Sequence, residues 1–194
     1  MKVSTYMHRD LITVAADAPL SEAKRVMEEN GFGLLLIVDQ DRTLKGFITK
    51  GALKEVTDWT IPAEKACFEA RFAVSPQDTL EKAALILIQN RLALLPVVDA
   101  GHLVGVITQG EILLALSRAL GIGVEGTRLT VRIRNDTDDL YKALAVLRDH
   151  GAHLISVAQG EGNDTHRHMI LRVQGVQDKE KLRHDLEAAL TADA

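Results

Sequence analysis

Apolar positions along the chain recur with two periods. Leu20, Ala23 and Met27 stand at helical spacing, and so do Leu80, Ala83 and Leu87, so each set predicts a helix with one apolar face. Each helix is followed by an apolar run of strand length, residues 34–39 and 94–99, then a polar turn, then a second strand over 44–49 and 103–108. Thr13-Val14 predicts a short strand ahead of the first helix, and further helices are predicted over 51–57 and 110–120. Pro19 suits the first helical position, where its missing N–H leaves nothing unpaired. Asp78, with Glu81 three residues on, predicts a capped start to the other helix.

These elements form a duplication. Shifted by 60, residues 13–39 fall on 73–99: Val14 meets Val74, Leu20 meets Leu80, Asn30 meets Asn90, and Val38-Asp39 meets Val98-Asp99. After the turn the match resumes at a shift of 59, with Gly46 on Gly105 and Ile48-Thr49 on Ile107-Thr108. Each copy reads as a β-α-β-β-α unit. A unit of this size leaves one sheet face uncovered, so the two copies are expected to pack sheet against sheet about a pseudo-two-fold axis.

Beyond the Gly-rich stretch 121–126, a linker, the register changes. Residues 129–133 alternate as a strand, and 137–150 form a helix with Leu140, Leu144 and Leu147 on one face and Gly151 as its stop. Strands follow at 154–157 and 168–173, then a helix over 178–190. Thr137 or Asp136 is the expected N-cap of the first tail helix, with acids in its first turn. The fold class is therefore mixed α/β: two related units and a third β-α-β-β-α unit that does not align with them.

Composition narrows the function. Among 194 residues, 23 Lys+Arg face 27 Asp+Glu, a net charge of −4, with no basic face for nucleic acid and no basic run for a membrane surface. The longest apolar run, residues 34–38, is far too short to span a bilayer. Cys67 is the sole cysteine, which excludes an internal disulfide and fits a cytoplasmic protein. Neither His166-x-His168 nor His150-x-x-His153 makes a set of three or four zinc ligands, so no metal and no cofactor is expected. Gly121-x-Gly123-x-x-Gly126 has dinucleotide spacing but follows a helix instead of a strand. No acid–base or nucleophile constellation is present, so the chain is not expected to be an enzyme.

Tyr6-Met7 and Thr13-Val14, the segment Pro96-Val97-Val98-Asp99, and the endings Gly46-Phe47-Ile48-Thr49 and Gly105-Val106-Ile107-Thr108 resemble a tandem pair of CBS domains, a Bateman module. On that resemblance residues 1–62 are the first repeat, 63–121 the second and 122–127 the linker. Residues 128–194 resemble an ACT domain, a ferredoxin-like ligand-sensing fold. The order CBS–CBS–ACT is similar to bacterial acetoin-utilisation regulatory proteins. The resemblance implies an adenosine-containing ligand, AMP, ADP, ATP or S-adenosylmethionine, held in a cleft between the repeats.

In the second repeat a strand ends at Thr108 and a helix opens at Gly110, where free N–H groups and a positive dipole end suit a phosphate. Glu111, three residues on, has two acceptor oxygens for ribose hydroxyls, although the family motif places Asp there. The same Thr108-x-x-Glu111 is equally a capping box that serves only its own helix. In the first repeat Thr49 matches Thr108, but Ala52 replaces the acid, so the two clefts are expected to differ. The resemblance implies that Ile12, Thr13, Phe32 and Gly33 face Thr108 and Glu111, with Phe32 stacking on adenine or serving as core. The opposite cleft would join Thr49 and Ala52 to Ala73, Leu92 and Ala93, with no aromatic and no acid. In the tail, Asp138 stands where amino-acid-binding ACT domains have glycine, so homodimerisation is the expected role there. The expected function is a non-catalytic sensor signalling through a homodimer to a partner enzyme or pathway. A constitutive scaffold with degenerate clefts is the alternative.

Overall fold

The computed structural model describes residues 1–191. The chain divides into two compact units, with the division after Leu113. The first unit opens with a single helical turn, α1 (Val3–Tyr6), followed by β1 (Thr13–Ala15), α2 (Leu20–Asn30), β2 (Leu34–Val38) and β3 (Leu44–Thr49). After 3₁₀ turns at Ala52–Glu55 and Ala63–Lys65, the order continues as α3 (Leu80–Asn90), β4 (Leu94–Asp99), β5 (His102–Thr108) and α4 (Gln109–Ala119). β1 pairs parallel to β2, which pairs antiparallel to β3; β4 and β5 form the matching antiparallel pair. In the second copy the short leading strand is reduced to one parallel bridge, Val74 to Val97, the counterpart of Val14 opposite Ile37.

The duplication reaches further upstream than residue 13. His8 bridges Val106 on β5, and Phe68 bridges Phe47 on β3. These are the same contact twice: each copy's leading segment pairs with the last strand of one of the two sheets. Gly46 and Gly105 make room for that crossing. A Cβ at Gly46 would lie 2.2 Å from the Phe68 carbonyl oxygen, and one at Gly105 would lie 2.8 Å from Met7 Sδ and 2.9 Å from the His8 carbonyl oxygen.

Strand alternation builds two layers of core. Leu35 and Ile37 of β2 point into a cluster with Val14, Leu20, Ala23 and Met27 under the first helix. Leu36 and Val38, on the other face of β2, join Leu103 of the second sheet, with Leu94 and Val106 packed alongside. The two sheets therefore pack face to face, as the duplication requires.

Some local expectations are corrected. The helix predicted over 51–57 is only a 3₁₀ turn. Thr49 Oγ1 accepts from Ala52 N at 3.2 Å, but Ala52 has no side chain to return a bond, and β-branched Val56 continues in extended backbone. Pro19 is the N-cap residue of α2, one position earlier than expected. Thr79, not Asp78, caps α3, accepting from Lys82 N at 3.2 Å. Asp78 instead accepts from Ser75 N and pairs with Lys82 Nζ, each at 2.8 Å.

The second unit contains β6 (Thr127–Arg134), α5 (Asp139–Asp149), β7 (His153–Gly162), β8 (His166–Gln174) and α6 (Lys179–Thr191). Its antiparallel sheet has the order β6-β8-β7. Val131, Ile133, Leu171 and Val173 from the strands pack against Ala143, Leu147, Leu182 and Leu186 from the helices. Within the turn before α5, Asp136 takes a left-handed φ of 59°, and Thr137 Oγ1 accepts from Asp139 N at 3.3 Å. Asp139 is 1% exposed and receives Arg134 Nη2 at 2.8 Å and Nε at 3.0 Å. This guanidinium fork outweighs burial and holds the carboxyl far below its ordinary value. His150, the C-cap residue of α5, lies 2.8 Å from Asp185 Oδ2 through Nε2.

Candidate functional site

The leading segment, the turn after α2 and the ends of β3 and β5 enclose a cleft of about 710 Å³ in the first unit. Its volume is within the usual range for small-molecule sites. Ile12, Phe32, Gly33 and Thr108 all border it, together with His8 and Asp10. Four of the six residues implicated by sequence are thus brought to one cavity. Thr13 lies in β1 opposite Leu36 and is not in the cleft wall. Glu111 stands behind Thr108 on the first turn of α4.

Glu111 is heavily engaged. Its Oε2 accepts from Thr108 N at 3.0 Å and from the Thr108 hydroxyl; that hydroxyl in turn accepts from Gly110 N at 3.1 Å. Its Oε1 lies 2.6 Å from His8 Nε2. Partial burial acts to raise the carboxyl pKa, but the Thr108 and His8 hydrogen bonds prevail and hold it below the ordinary value. The capping box expected from Thr108-x-x-Glu111 is formed; Oε2 already accepts twice, and Oε1 keeps one lone pair for a further donor.

Phe32 has a double position. It is half-buried against the first repeat's core, and it separates the cleft from a neighbouring groove of about 270 Å³. Lys24, Lys50, Lys54 and Trp59 border that groove, with Lys24 Nζ 4.7 Å from the Trp59 ring centroid. No side chain fills the space beside Gly33, where an added Cβ would meet nothing within 4 Å.

The opposite cleft is far smaller, about 70 Å³. Leu92 and Ala93 border it as expected, but Thr49 faces the larger cleft instead, and Phe47 and Phe72 line the small one. The expectation of a cavity without aromatics is therefore corrected. Ahead of the second repeat Phe68 stands at the position of His8, Ala70 at that of Asp10 and Phe72 at that of Ile12, and the Phe47 and Phe68 rings pack 5.8 Å apart. His8 and Asp10 carry no local signal in the sequence, because only the crossing of the leading segment over β5 brings them to the cleft. Among the described residues no group of three or more His, Cys, Asp or Glu lies together as a metal site, and no helix is long and apolar enough to cross a membrane.

Residues 3–57 and 70–118 match the family model for the CBS domain. The chain belongs to the CBS domain family and contains a tandem pair of these domains. An uncharacterized protein of Methanocaldococcus jannaschii is 26% identical over 167 residues, 83% of this chain and 40% of that protein; this chain therefore spans less than half of that relative. A CBS domain pair/ACT domain protein from Thermotoga maritima superposes with a TM-score of 0.56 at 25% identity, covering 62% of this chain and 99% of that one. A candidate acetoin utilization protein, AcuB of Vibrio cholerae, does so with a TM-score of 0.54 at 26% identity, covering 60% of this chain and 90% of that one. CBSX2, solved in complex with AMP, shares the fold with a TM-score of 0.53 at 24% identity, over 59% of this chain and 95% of that one.

Proposed function

We propose that this chain is a non-catalytic regulatory protein. It binds an adenosine-containing ligand in the larger cleft between its CBS repeats and signals that state through a homodimer. The observation behind the reading is the cleft itself: about 710 Å³, walled by both repeats, with Phe32 on one side and Thr108 on the other. A ligand held there touches both copies and so favours one relative arrangement of them. It can shift the equilibrium only by its differential affinity for the two states.

Dimerisation is supported by the second repeat's helix. Leu85 and Ile88 on α3 are 54% and 72% exposed, at positions that carry Arg25 and Glu28 in the first repeat. A second copy of this chain fits that face, because antiparallel pairing of α3 with itself sets Glu81 at one end against Arg91 at the other. The ACT-like reading of the tail is supported by its strand order β6-β8-β7, that of the first three strands of a βαββαβ sheet. A role in acetoin or related carbon metabolism follows from domain order and the likeness to AcuB.

The scaffold alternative draws on one observation, the engagement of both Glu111 carboxylate oxygens within the protein, by Thr108 and His8. Thermal denaturation of the full chain with adenosine, AMP, ATP and S-adenosylmethionine separates the two. The sensor reading expects at least one compound to raise Tm, since binding to the native state alone stabilises by about 2.7 kcal/mol at a hundredfold excess over Kd. It also expects Phe32→Ala combined with Glu111→Ala to remove the rise. No rise with any of them, or one that survives both substitutions, leaves the scaffold.

A further inference from the structure

Alternation along β6 and β8 gives the sheet of the second unit two unlike faces. Val131 and Leu171 turn to the helices and are buried with them. The intervening residues stand on the other face, where Arg128 lies opposite Arg172, Thr130 opposite Ile170, and Arg132 opposite His168. Arg128, Thr130, Arg132 and His168 are exposed. The chain's net charge of −4 predicts no basic face, and that expectation is corrected here: strand alternation collects one.

Nothing on the face cancels its charge. Among the described residues Arg128, Arg132 and Arg172 form no ion pair, whereas Arg134 at the strand end is neutralised by Asp139. Arg128 Nη1 donates to Thr130 Oγ1 at 2.9 Å and Arg172 Nη2 to the Val124 carbonyl at 3.0 Å. Both acceptors are neutral, so these bonds position the guanidinium groups and leave their charge. Glu161 is the one acid on the three strands; it lies in the irregular end of β7, and no ion pair ties it to the arginines. Like charges directly opposite one another weaken a sheet, so Arg128 against Arg172 brings the fold a cost and no gain.

We infer that this face docks an extended acidic segment of a partner protein. Carboxylates four residues apart on an extended chain are about 14 Å apart, the spacing of Arg128 and Arg132 along β6. Such a chain turns every second side chain to one side. Acid, apolar residue and acid at alternate positions then meet Arg128 with Arg172, Ile170 with Thr130, and Arg132 with His168 in turn. A second copy laid on this face would oppose arginine to arginine. A nucleic acid is less favoured, since the strands carry no Phe, Tyr or Trp on which bases stack.

Fluorescence anisotropy of the full chain at low ionic strength tests this with a labelled peptide that repeats Glu-Thr-Val-Thr-Glu, its analogue with Gln for Glu, and oligouridylate. The acidic peptide is expected to bind, and to weaken as salt is added. The Gln analogue is expected to bind at least about tenfold more weakly, a comparison that changes nothing in the protein. Arg128→Gln with Arg132→Gln is expected to lower affinity for the acidic peptide by at least about tenfold, while Tm holds or rises because the like-charge pair is relieved. Absence of binding by the acidic peptide, equal binding of its Gln analogue, or an affinity unchanged in the double variant overturns the inference. Oligouridylate binding more tightly than the acidic peptide, and lost in the same variant, also overturns it and gives the face to a nucleic acid.

Discussion

The two CBS repeats share a backbone plan and differ where that plan meets solvent or a ligand. Both keep the crossing of a leading segment over a glycine, Gly46 beneath Phe68 and Gly105 beneath Met7-His8. They part company at the strand ends. Thr49 is followed by Ala52 and a 3₁₀ turn, whereas Thr108 is followed by Glu111 and the eleven-residue α4. They part again on the helices, where Arg25 and Glu28 of α2 become Leu85 and Ile88 on α3. A duplicated pair thus serves as its own control: what both copies retain is the fold, and what one copy alone has acquired points to its use.

The strongest test of the shared part is the crossing. Gly46→Ala pushes a methyl group into backbone, the Phe68 carbonyl, and is expected to cost about 3 kcal/mol, the upper end for overpacking. Gly105→Ala meets a flexible Met7 side chain first, although the His8 carbonyl is also near, and is expected to cost about 1–2 kcal/mol. Urea unfolding of the two variants reads the difference. Equal costs would mean that the two crossings are equally tight in solution.

Next in size is the helix surface. Leu85→Arg with Ile88→Glu installs the first repeat's residues on the second. Sedimentation equilibrium should show the dimer dissociation constant rising by at least about a hundredfold, some 2.7 kcal/mol, as expected when central apolar contacts are lost. Because both positions are exposed, monomer stability should move by no more than about 0.5 kcal/mol. A dimer unaffected by the exchange would transfer the interface elsewhere.

The strand ends come third. Glu111→Gln is expected to cost about 1 kcal/mol near neutral pH through the weakened capping box and His8 contact. The folded-state pKa of Glu111 lies below its ordinary value, so its contribution is present above that value, near 4.5, and is lost as pH falls through the lower folded pKa. Wild type and variant should therefore converge in acid. A constant gap from pH 7 to pH 3 would show that the charge contributes nothing. Ala52→Glu asks the converse, whether a box can be written into the first repeat and lengthen its 3₁₀ turn, read by the helical signal in circular dichroism.

Much of this was legible in the sequence because the duplication repeats its periodicity. The helices with Leu20, Ala23 and Met27, and with Leu80, Ala83 and Leu87, appear with those residues buried, and the strands fall where the apolar runs lie. The cleft's membership was partly legible: Phe32, Gly33, Ile12 and Thr108 meet, while His8 and Asp10 join them through a crossing that no local pattern announces. Asp139 escaped notice for a related reason. In sequence it is one of several acids before α5, and only the fold of the turn brings Arg134 back over it and buries the pair. Caps were legible as a type and not as a residue, since Asp78 and Thr79 are both capable and tertiary bonds from Ser75 and Lys82 decide between them.

The smallest expected effect concerns the ends of α2 and α3, and it is the cleanest comparison between the copies. Both helices stop on a left-handed residue, Gly31 at φ 68° and its counterpart Arg91 at φ 54°. Glycine takes this conformation freely, while a side chain pays about 1–2 kcal/mol for it through its Cβ. Arg91→Gly removes that strain but frees the unfolded chain, which returns about 0.4–1 kcal/mol to the unfolded state. The balance favours the variant by about 0.5–1 kcal/mol, a gain expected in urea unfolding. Gly31→Arg should lose a similar amount, since an added Cβ there meets no atom within 4 Å and only the backbone term remains. If Arg91→Gly were instead destabilising by that margin, the arginine side chain would be holding something on the α3 surface, and its place opposite Glu81 of a second copy would be the first contact to examine by repeating the substitution in the Leu85→Arg, Ile88→Glu background.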